Sequence, residues 1–251
     1  MITTNIQYQT LKEIVTANFQ AAAVFERYSL DFCCRGGKTI EQACAENGTD
    51  PLQVLTELAG IAHTEPGSDD HEPQWNPEML IDHILQHHHA YVTKMVPVLY
   101  AHTQKVAAVH GSQHPETLVI ARHFEQVAQE LLQHMGKEEK TLFPYIRELH
   151  AALQTDHPAP VALFGSVRNP IRMMEAEHQL AGDAMYSIRS LSGNYAPPAD
   201  ACTTYRITYQ ELQEFEQDLH RHVHLENNIL FPMALRLEQE SLTNSAPQET
   251  V

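Results

Sequence analysis

The sequence predicts an all-α protein, in which a small helical N-terminal domain precedes an up-down four-helix bundle. Three observations support this fold class. Strand-like alternation of apolar and polar residues is essentially absent from the 251 residues. Two segments of the chain repeat one His/Glu pattern, as a duplicated helix pair would. Four helix-start signals each precede a long amphipathic stretch, at Asn76-Pro77, His114-Pro115, Asn169-Pro170 and Pro198-Ala199-Asp200.

The N-terminal domain is predicted to contain three short helices. Apolar residues recur at helical spacing over residues 12–28, which indicates the first helix. A capping box at Thr39 and Gln42 begins the second. Asp50-Pro51, an N-cap followed by proline at the first helical position, begins the third. The loop between the first two helices, residues 31–37, carries two adjacent cysteines.

Composition along the chain sets the domain boundaries. The helical domain with the cysteine pair spans residues 1–64, and the Pro/Gly/acidic segment 65–76, which has no helical or strand period, is a linker. The bundle spans residues 77–240, and residues 241–251 are expected to be a disordered tail.

Charge and hydropathy exclude several classes of partner. Lys and Arg total 16 against 32 Asp and Glu, and the resulting net charge of −16 argues against binding to nucleic acid. No apolar run is long enough to span a bilayer. Residues 1–15 lack the basic and apolar regions of a signal peptide, and four cysteines are too few for a disulfide scaffold. We therefore expect a cytoplasmic protein with reduced thiols.

The pattern His-x-x-x-Glu-x-x-x-x-Phe-Pro carries the chemistry of the bundle. It occurs from His134 to Pro144 and again from His222 to Pro232, in the second and fourth predicted bundle helices. The copies are 88 residues apart (222 − 134), close to the length of two helices with their loops. Residues four apart point to the same side of a helix, so each His-Glu pair can reach one metal ion or bridge two.

Two further histidines occupy matching positions on the other two bundle helices. His89 precedes His134 by 45 residues, and His178 precedes His222 by 44. A lone His-x-x-x-Glu on a helix is more often a surface pair, but two equally spaced copies favour ligands that converge in a bundle core. Imidazoles and carboxylates without cysteine favour a di-iron or di-manganese centre over structural zinc. The predicted metal ligands are His89, His134, Glu138, His178, His222 and Glu226.

Three other carboxylates are candidates for positions beside the ligands or along a route to the metals. Glu130 lies one turn before His134 on the same face, and Glu175 lies three residues before His178. Solvated surface carboxylates are the alternative for both. Glu177 adjoins His178 but points about 100° away from it on a helix.

The vicinal pair Cys33 and Cys34 is the second chemical feature, as a redox pair or an iron relay. Arg35 follows directly, and a nearby guanidinium lowers the pKa of a thiol. The pair could bind an iron ion transiently or form a vicinal disulfide; one buried and one exposed thiol without chemistry is the alternative. Cys44 and Cys202 are interpreted as packing residues.

These motifs carry a resemblance to a known family. Residues 76 to about 240 resemble hemerythrin-like domains, and the whole chain resembles the RIC proteins (repair of iron centres). The segment Asp31-Phe32-Cys33-Cys34 is similar to the family's vicinal-cysteine motif, although Arg35 here precedes the glycines. The bundle motifs are similar at residues 134–144, 175–178, 201–204 and 225–232. Additional histidines at His87 and His88 depart from the family's pattern.

The resemblance implies an oxo/carboxylate-bridged di-iron centre on the six residues above, with Glu130 and Glu177 along a route to the irons. It implies repair of iron–sulfur clusters after nitrosative or oxidative stress. We expect this repair to proceed by iron donation to the damaged proteins. A di-iron NO reductase or peroxidase-like enzyme and a sensor of O2 or NO are the alternatives; we favour the non-enzymatic reading. Manganese loading is left open, as is the oligomeric state, with a homodimer as one alternative.

Overall fold

The structure, a computed structural model, describes residues 6–18, 20–33, 36–62, 75–155 and 160–244. All regular elements within these ranges are helical, which confirms the all-α class, and the only bridge found there is an isolated antiparallel one between Thr10 and Thr39. Most of the predicted linker, the end of the predicted tail, Cys34 and Arg35 lie outside the described residues.

The N-terminal region contains one more helix than the sequence predicts. A short 3₁₀ turn (Ile6–Tyr8) precedes α1 (Leu11–Ala17), α2 (Gln20–Arg27), α3 (Ile40–Asn47) and α4 (Pro51–Ala62). The single helix predicted over residues 12–28 is wrong, because the chain turns extended at Asn18 (φ −152°, ψ 104°). The Asn18 side chain then accepts a hydrogen bond from the Gln20 backbone N–H (3.0 Å), so it competes with the helical ladder and starts α2 instead.

Side-chain caps fix where these helices begin. The capping box predicted at Thr39 and Gln42 is confirmed at the start of α3, and Asp50 accepts from the Leu52 backbone N–H (2.9 Å) at the start of α4. An unpredicted capping box, Thr10 with Glu13, starts α1. Gly48 ends α3 in the left-handed conformation (φ 65°), which glycine adopts without a Cβ clash.

The bundle region consists of four long helical rods. The first comprises α5 (Pro77–His83), a π turn (Ile84–His89) and α6 (Ala90–His110). The second comprises α7 (Glu116–Lys137), a π turn (Glu138–Leu142) and α8 (Phe143–Thr155). The third is α9 (Arg168–Leu191). The fourth comprises α10 (Thr203–Leu225), a π turn (Glu226–Leu230) and α11 (Phe231–Asn244), so helix continues four residues into the predicted tail.

Two of the three π turns in the described residues directly precede a Phe-Pro pair. In the second rod the Phe143 N–H bonds the Glu138 carbonyl five residues back, and Pro144 follows without an N–H to donate. The fourth rod repeats this arrangement before Phe231-Pro232. The first rod has a π turn without proline, for which the sequence gives no signal. Such single wide turns are frequent at functional sites.

The chain divides into two compact units, one formed by residues up to Asn76 together with 220–229 and the other by 77–219 with residues from 230 onward. Residues 220–229 are also an internal part of the fourth rod, whose two flanks belong to the second unit. The predicted domain boundaries therefore stay a prediction. None of the helices in the described ranges has the length and apolar character needed to cross a membrane.

Within the first unit, residues 220–229 pack against the helices and loop near the N-terminus. Arg221 donates two hydrogen bonds to the carboxylate of Glu26 (2.8 and 2.6 Å). The fully buried Phe32 ring lies edge-on to the rings of His220 and His224, with centroids 6.0 and 5.7 Å away. Burial, and to a lesser extent the charge of Lys12, lowers the pKa of His224 to about 4, so its imidazole is neutral at neutral pH.

Candidate metal centre

The structure brings all six predicted ligands into the interior. Three lie at the π turns, where His89 is the last residue of the first turn and Glu138 and Glu226 are the first residues of the others. The remaining three, His134, His178 and His222, lie on regular helix. All six side chains are between 0 and 3% exposed. Charged groups are almost never buried to this extent unless they are paired or bind metal.

The six residues form two groups of four that share both carboxylates. One group is His89, Glu138, His222 and Glu226, and the other is His134, Glu138, His178 and Glu226. In each group, one ligand atom per residue lies within 4.8 Å of all the others. Each group thus offers two imidazole nitrogens and two carboxylate oxygens that could hold a metal ion, and Glu138 and Glu226 belong to both groups.

Individual distances support this arrangement. The two oxygens of Glu138 face different imidazoles: Oε1 lies 3.3 Å from His134 Nε2, and Oε2 lies 3.5 Å from His89 Nε2. The Nε2 atoms of His134 and His178 lie 2.9 Å apart, so both imidazoles turn the same nitrogen to one point. In the fourth rod, His222 Nε2 lies 3.0 Å from Glu226 Oε1.

The donor set fits divalent metal ions. Two carboxylates at 0% exposure bring two negative charges into a site whose other four groups are imidazoles, neutral when they act as ligands. Burial of uncompensated charge is costly, and two divalent cations would more than balance these two charges. Nitrogen and oxygen donors without sulfur suit iron or manganese.

Carboxylates on the outer side of two ligand imidazoles fix the orientation of the rings. His89 Nδ1 lies 2.8 Å from Glu139 Oε1, and His134 Nδ1 lies 2.9 Å from Glu177 Oε2. A proton on Nδ1 donated to the carboxylate leaves the Nε2 lone pair for a metal. Burial raises the pKa of Glu177, but hydrogen bonds from Lys137 and His134 outweigh burial, and the net pKa is lowered, which keeps this carboxylate ionised.

The three carboxylates singled out from the sequence have different environments. Glu130 is exposed and accepts a hydrogen bond from Gln126 (2.9 Å), and Glu175 is exposed as well. Glu177 is the one that contacts a predicted ligand. It points away from His178 on its own helix, as predicted, but it reaches across to His134 on the neighbouring rod. Sequence reasoning missed Glu139; its position directly after Glu138 was the available signal.

The aromatic residue of each Phe-Pro pair packs against the lone histidine of the preceding rod. The Phe143 ring stacks on the His89 ring, with centroids 5.7 Å apart and planes 28° from parallel. The Phe231 ring stacks on the His178 ring at 6.1 Å and 3°. Both phenylalanines are 1% exposed. Each phenylalanine ring therefore packs against one imidazole and helps to hold it in place.

The cysteines are distributed over three environments. Cys33 is buried in the loop after α2, and Cys34 lies outside the described residues. Cys44 is fully buried in α3, where burial raises the pKa of its thiol, which is consistent with packing. Cys202 is exposed, with Sγ 3.2 Å from His110 Nε2, so the packing role expected for it is not what the structure has.

Comparison with known proteins gives two family matches and a set of close relatives. Residues 80–234 match the hemerythrin HHE cation binding domain, and residues 7–62 match a domain of unknown function. The chain is 34% identical over 230 residues to the iron-sulfur cluster repair protein YtfE of Enterobacter sp. (strain 638), covering 90% of this chain and 96% of that one. It is 33% identical to the probable iron-sulfur cluster repair protein of Haemophilus influenzae, with the same coverage. It is 35% identical to YtfE of Musicola paradisiaca over 92% of this chain and 97% of the relative.

Proposed function

Since the chain belongs to the family of hemerythrin-domain iron–sulfur cluster repair proteins, we propose that it repairs iron–sulfur clusters damaged by nitrosative or oxidative stress by donating iron from a di-iron centre. Under this hypothesis the iron is transferred to the client protein and is not a permanent cofactor. The two ions and the roles of the six ligands are part of the proposal.

The sharing of Glu138 and Glu226 between two ligand groups is the observation that carries the di-iron proposal. A carboxylate that faces two groups is the residue type that bridges two metal ions, which in two-metal sites lie about 3.5–4 Å apart. Two imidazoles complete each group. A single-ion site would need only one group, and the second imidazole pair would then have no role in metal binding.

The six residues alone would leave the coordination of two ions incomplete, which would suit release of the ions. Two imidazoles and two shared carboxylates per ion leave positions open for water, O2 or NO, because iron in such sites accepts more ligands than four. Two carboxylates also balance only half of the charge of two ferrous ions. Glu139 and Glu177 hold His89 and His134 in the binding orientation. A change at either outer carboxylate therefore loosens a ligand without breaking the bundle.

The partners proposed for this activity are damaged iron–sulfur proteins, as the names of the relatives indicate for those relatives. NO and O2 are proposed small ligands of the open positions. A homodimer of this chain is our hypothesis for its assembly. We place the activity in the cytoplasm, where thiols are kept reduced.

Transfer of iron tests the function directly. Protein loaded with isotopically labelled iron is mixed with an iron–sulfur enzyme whose cluster has been damaged by NO, and the label is followed into the enzyme by Mössbauer spectroscopy. We expect up to two irons per chain to leave the protein while the client regains activity. The control is the variant Glu138→Gln/Glu226→Gln, which should neither transfer iron nor restore the activity of the client.

The enzymatic alternative predicts a different result in the same experiment. With an electron donor present, a di-iron NO reductase consumes NO over many turnovers and keeps its label. Sustained NO consumption with no label in the client would contradict donation.

A further inference from the structure

Helix α10 presents histidines on two opposite faces. His222 points into the two-metal centre, and His220, two residues earlier, lies about 200° round the helix from it. His220 is 6% exposed, although it belongs to none of the six predicted ligands. In the first compact unit it meets the loop that follows α2, at Asp31 and Cys33.

Three different metal-binding groups converge at this point. One carboxylate oxygen of Asp31, the sulfur of Cys33 and one ring nitrogen of His220 all lie within 4.8 Å of one another. Cys33 is 8% exposed, and Asp31 is only partly buried, so the cluster sits at the edge of the unit where an ion can enter. We call Asp31, Cys33 and His220 the outer cluster.

The backbone of the loop holds the outer cluster in place. Asp31 Oδ1 accepts a hydrogen bond from the Cys33 backbone N–H (3.0 Å), and the same oxygen lies 3.3 Å from Cys33 Sγ. Between them, the fully buried Phe32 packs edge-on against His220. The two hydrogen bonds from Arg221 to Glu26 fix the same stretch of α10 against α2. The three ligands are therefore brought together by packing before any ion binds, which lowers the entropic cost of binding.

The donor set selects a class of ion. A thiolate with an imidazole and a carboxylate suits divalent transition metals such as Fe²⁺, Co²⁺ and Zn²⁺, and disfavours Mg²⁺ and Ca²⁺, which prefer oxygen ligands only. The carboxylate and the thiolate together balance a charge of +2. Three protein ligands leave one tetrahedral position open, as in sites that exchange ligands and unlike closed structural zinc sites.

We propose that Asp31, Cys33 and His220 form a third metal site, which binds a single divalent transition-metal ion apart from the two-metal centre. Since an α-helix with its side chains is about 10–12 Å across, the two sites lie on the order of 10 Å apart on opposite faces of α10. A role for the third site in the transfer of iron out of the protein rests on the proposed function, whereas binding of a metal ion at this site does not.

Titration with Co²⁺ tests the site in the full-length protein after its two-metal centre has been filled with iron. We expect one Co²⁺ per chain and a sulfur-to-cobalt charge-transfer band, with the iron content unchanged. Cys33→Ser should abolish the band. Asp31→Asn keeps the oxygen that accepts from Cys33 N–H but removes the charge. Asp31→Asn and His220→Gln should each weaken Co²⁺ binding at least about tenfold, since even the loss of a ligand's hydrogen-bond partner costs about 10–100-fold.

Two serine variants serve as matched controls, and circular dichroism verifies that every variant is folded. Cys202→Ser removes an exposed thiol that is distant from the loop in sequence, and Cys34→Ser removes the thiol that follows Cys33 in sequence; both should keep the band. A band that survives Cys33→Ser, or that disappears in Cys34→Ser, would overturn the assignment, as would a wild-type protein that takes up no Co²⁺. Loss of iron from His220→Gln would also overturn it, because His220 would then belong to the two-metal centre. If the purified protein held no iron pair, the proposed function would fail while the cobalt band at Cys33 would still be observed.

Discussion

Replacement of both shared carboxylates by their amides, Glu138→Gln/Glu226→Gln, should stabilise the metal-free protein and abolish its stabilisation by metal. In the metal-free protein the two carboxylates are fully buried, with oxygens no more than 4.8 Å apart. At an effective dielectric constant of about 20, two unit charges at that distance repel by about 3.5 kcal/mol. Glutamine removes this repulsion at almost the same side-chain volume. We therefore expect the metal-free variant to be more stable than the metal-free wild type by about 3.5 kcal/mol.

The loaded proteins should show the opposite order. Wild type gains RT ln(1 + [metal]/Kd) from each site, about 4 kcal/mol when free metal is 1,000 times Kd, whereas the double variant has lost both bridging groups and gains nothing. For a chain of this size 1 kcal/mol shifts Tm by about 2–4 °C. Differential scanning calorimetry with and without Fe²⁺ under anaerobic conditions measures both differences, and metal analysis measures the iron content.

The double variant Glu130→Gln/Glu175→Gln is the matched control. It makes the same change in net charge at two exposed carboxylates. It should leave both the iron content and the metal-dependent rise in Tm intact. Two irons bound to Glu138→Gln/Glu226→Gln would show that the ligand assignment is wrong. A metal-free double variant less stable than the metal-free wild type would refute the argument from charge repulsion.

Three further predictions concern the groups around the centre. Glu139→Gln and Glu177→Gln should each lower iron affinity by about 10–100-fold in a chelator competition, because each carboxylate orients a ligand imidazole; unchanged affinity would remove that role. Changing Cys33 and Cys34 to Ser should leave the iron pair and its spectrum unchanged while slowing the recovery of a damaged client enzyme, and undiminished repair would exclude a relay. A fragment that begins near Glu72 should remain helical and retain two irons, although with a lower Tm because the partners of residues 220–229 are absent; a fragment without metal would mean that the N-terminal region completes the site.

The bundle could be predicted from the sequence because its signals are local. Proline fixes φ and lacks an N–H, so it favours the first turn of a helix whatever the tertiary structure. The helices α5, α7 and α9 accordingly begin near Pro77, Pro115 and Pro170. The candidate ligand set could be predicted because its pattern occurs twice. A single His-Glu pair four residues apart indicates little. Two such pairs with equally spaced partner histidines predict which side chains come together in the folded bundle.

Features that depend on packing between segments were not predictable. The break at Asn18 follows from a side chain that competes with the backbone for one hydrogen bond. Asparagine also occurs inside a helix of this chain, as Asn169 does in α9, so the residue type alone does not predict a break. The contact between Glu177 and His134 joins two rods, so a helical wheel drawn for one of them cannot contain it. The outer cluster joins residues 31–33 to residue 220, a sequence separation that no local pattern spans.

The π turn between Glu138 and Phe143 has a consequence for how this family can vary. A π turn is an α-helix that carries one surplus residue. Deletion of one residue from 139–142 would therefore leave a continuous α-helix in which the Phe143 N–H still bonds the Glu138 carbonyl, now four residues back, and everything downstream would keep its angle to Glu138. The Phe143 ring would stay against His89, and α8 would keep its apolar stripe on the same side. The wide turn thus absorbs a difference of one residue in length, so that the helical faces before and after it keep their directions.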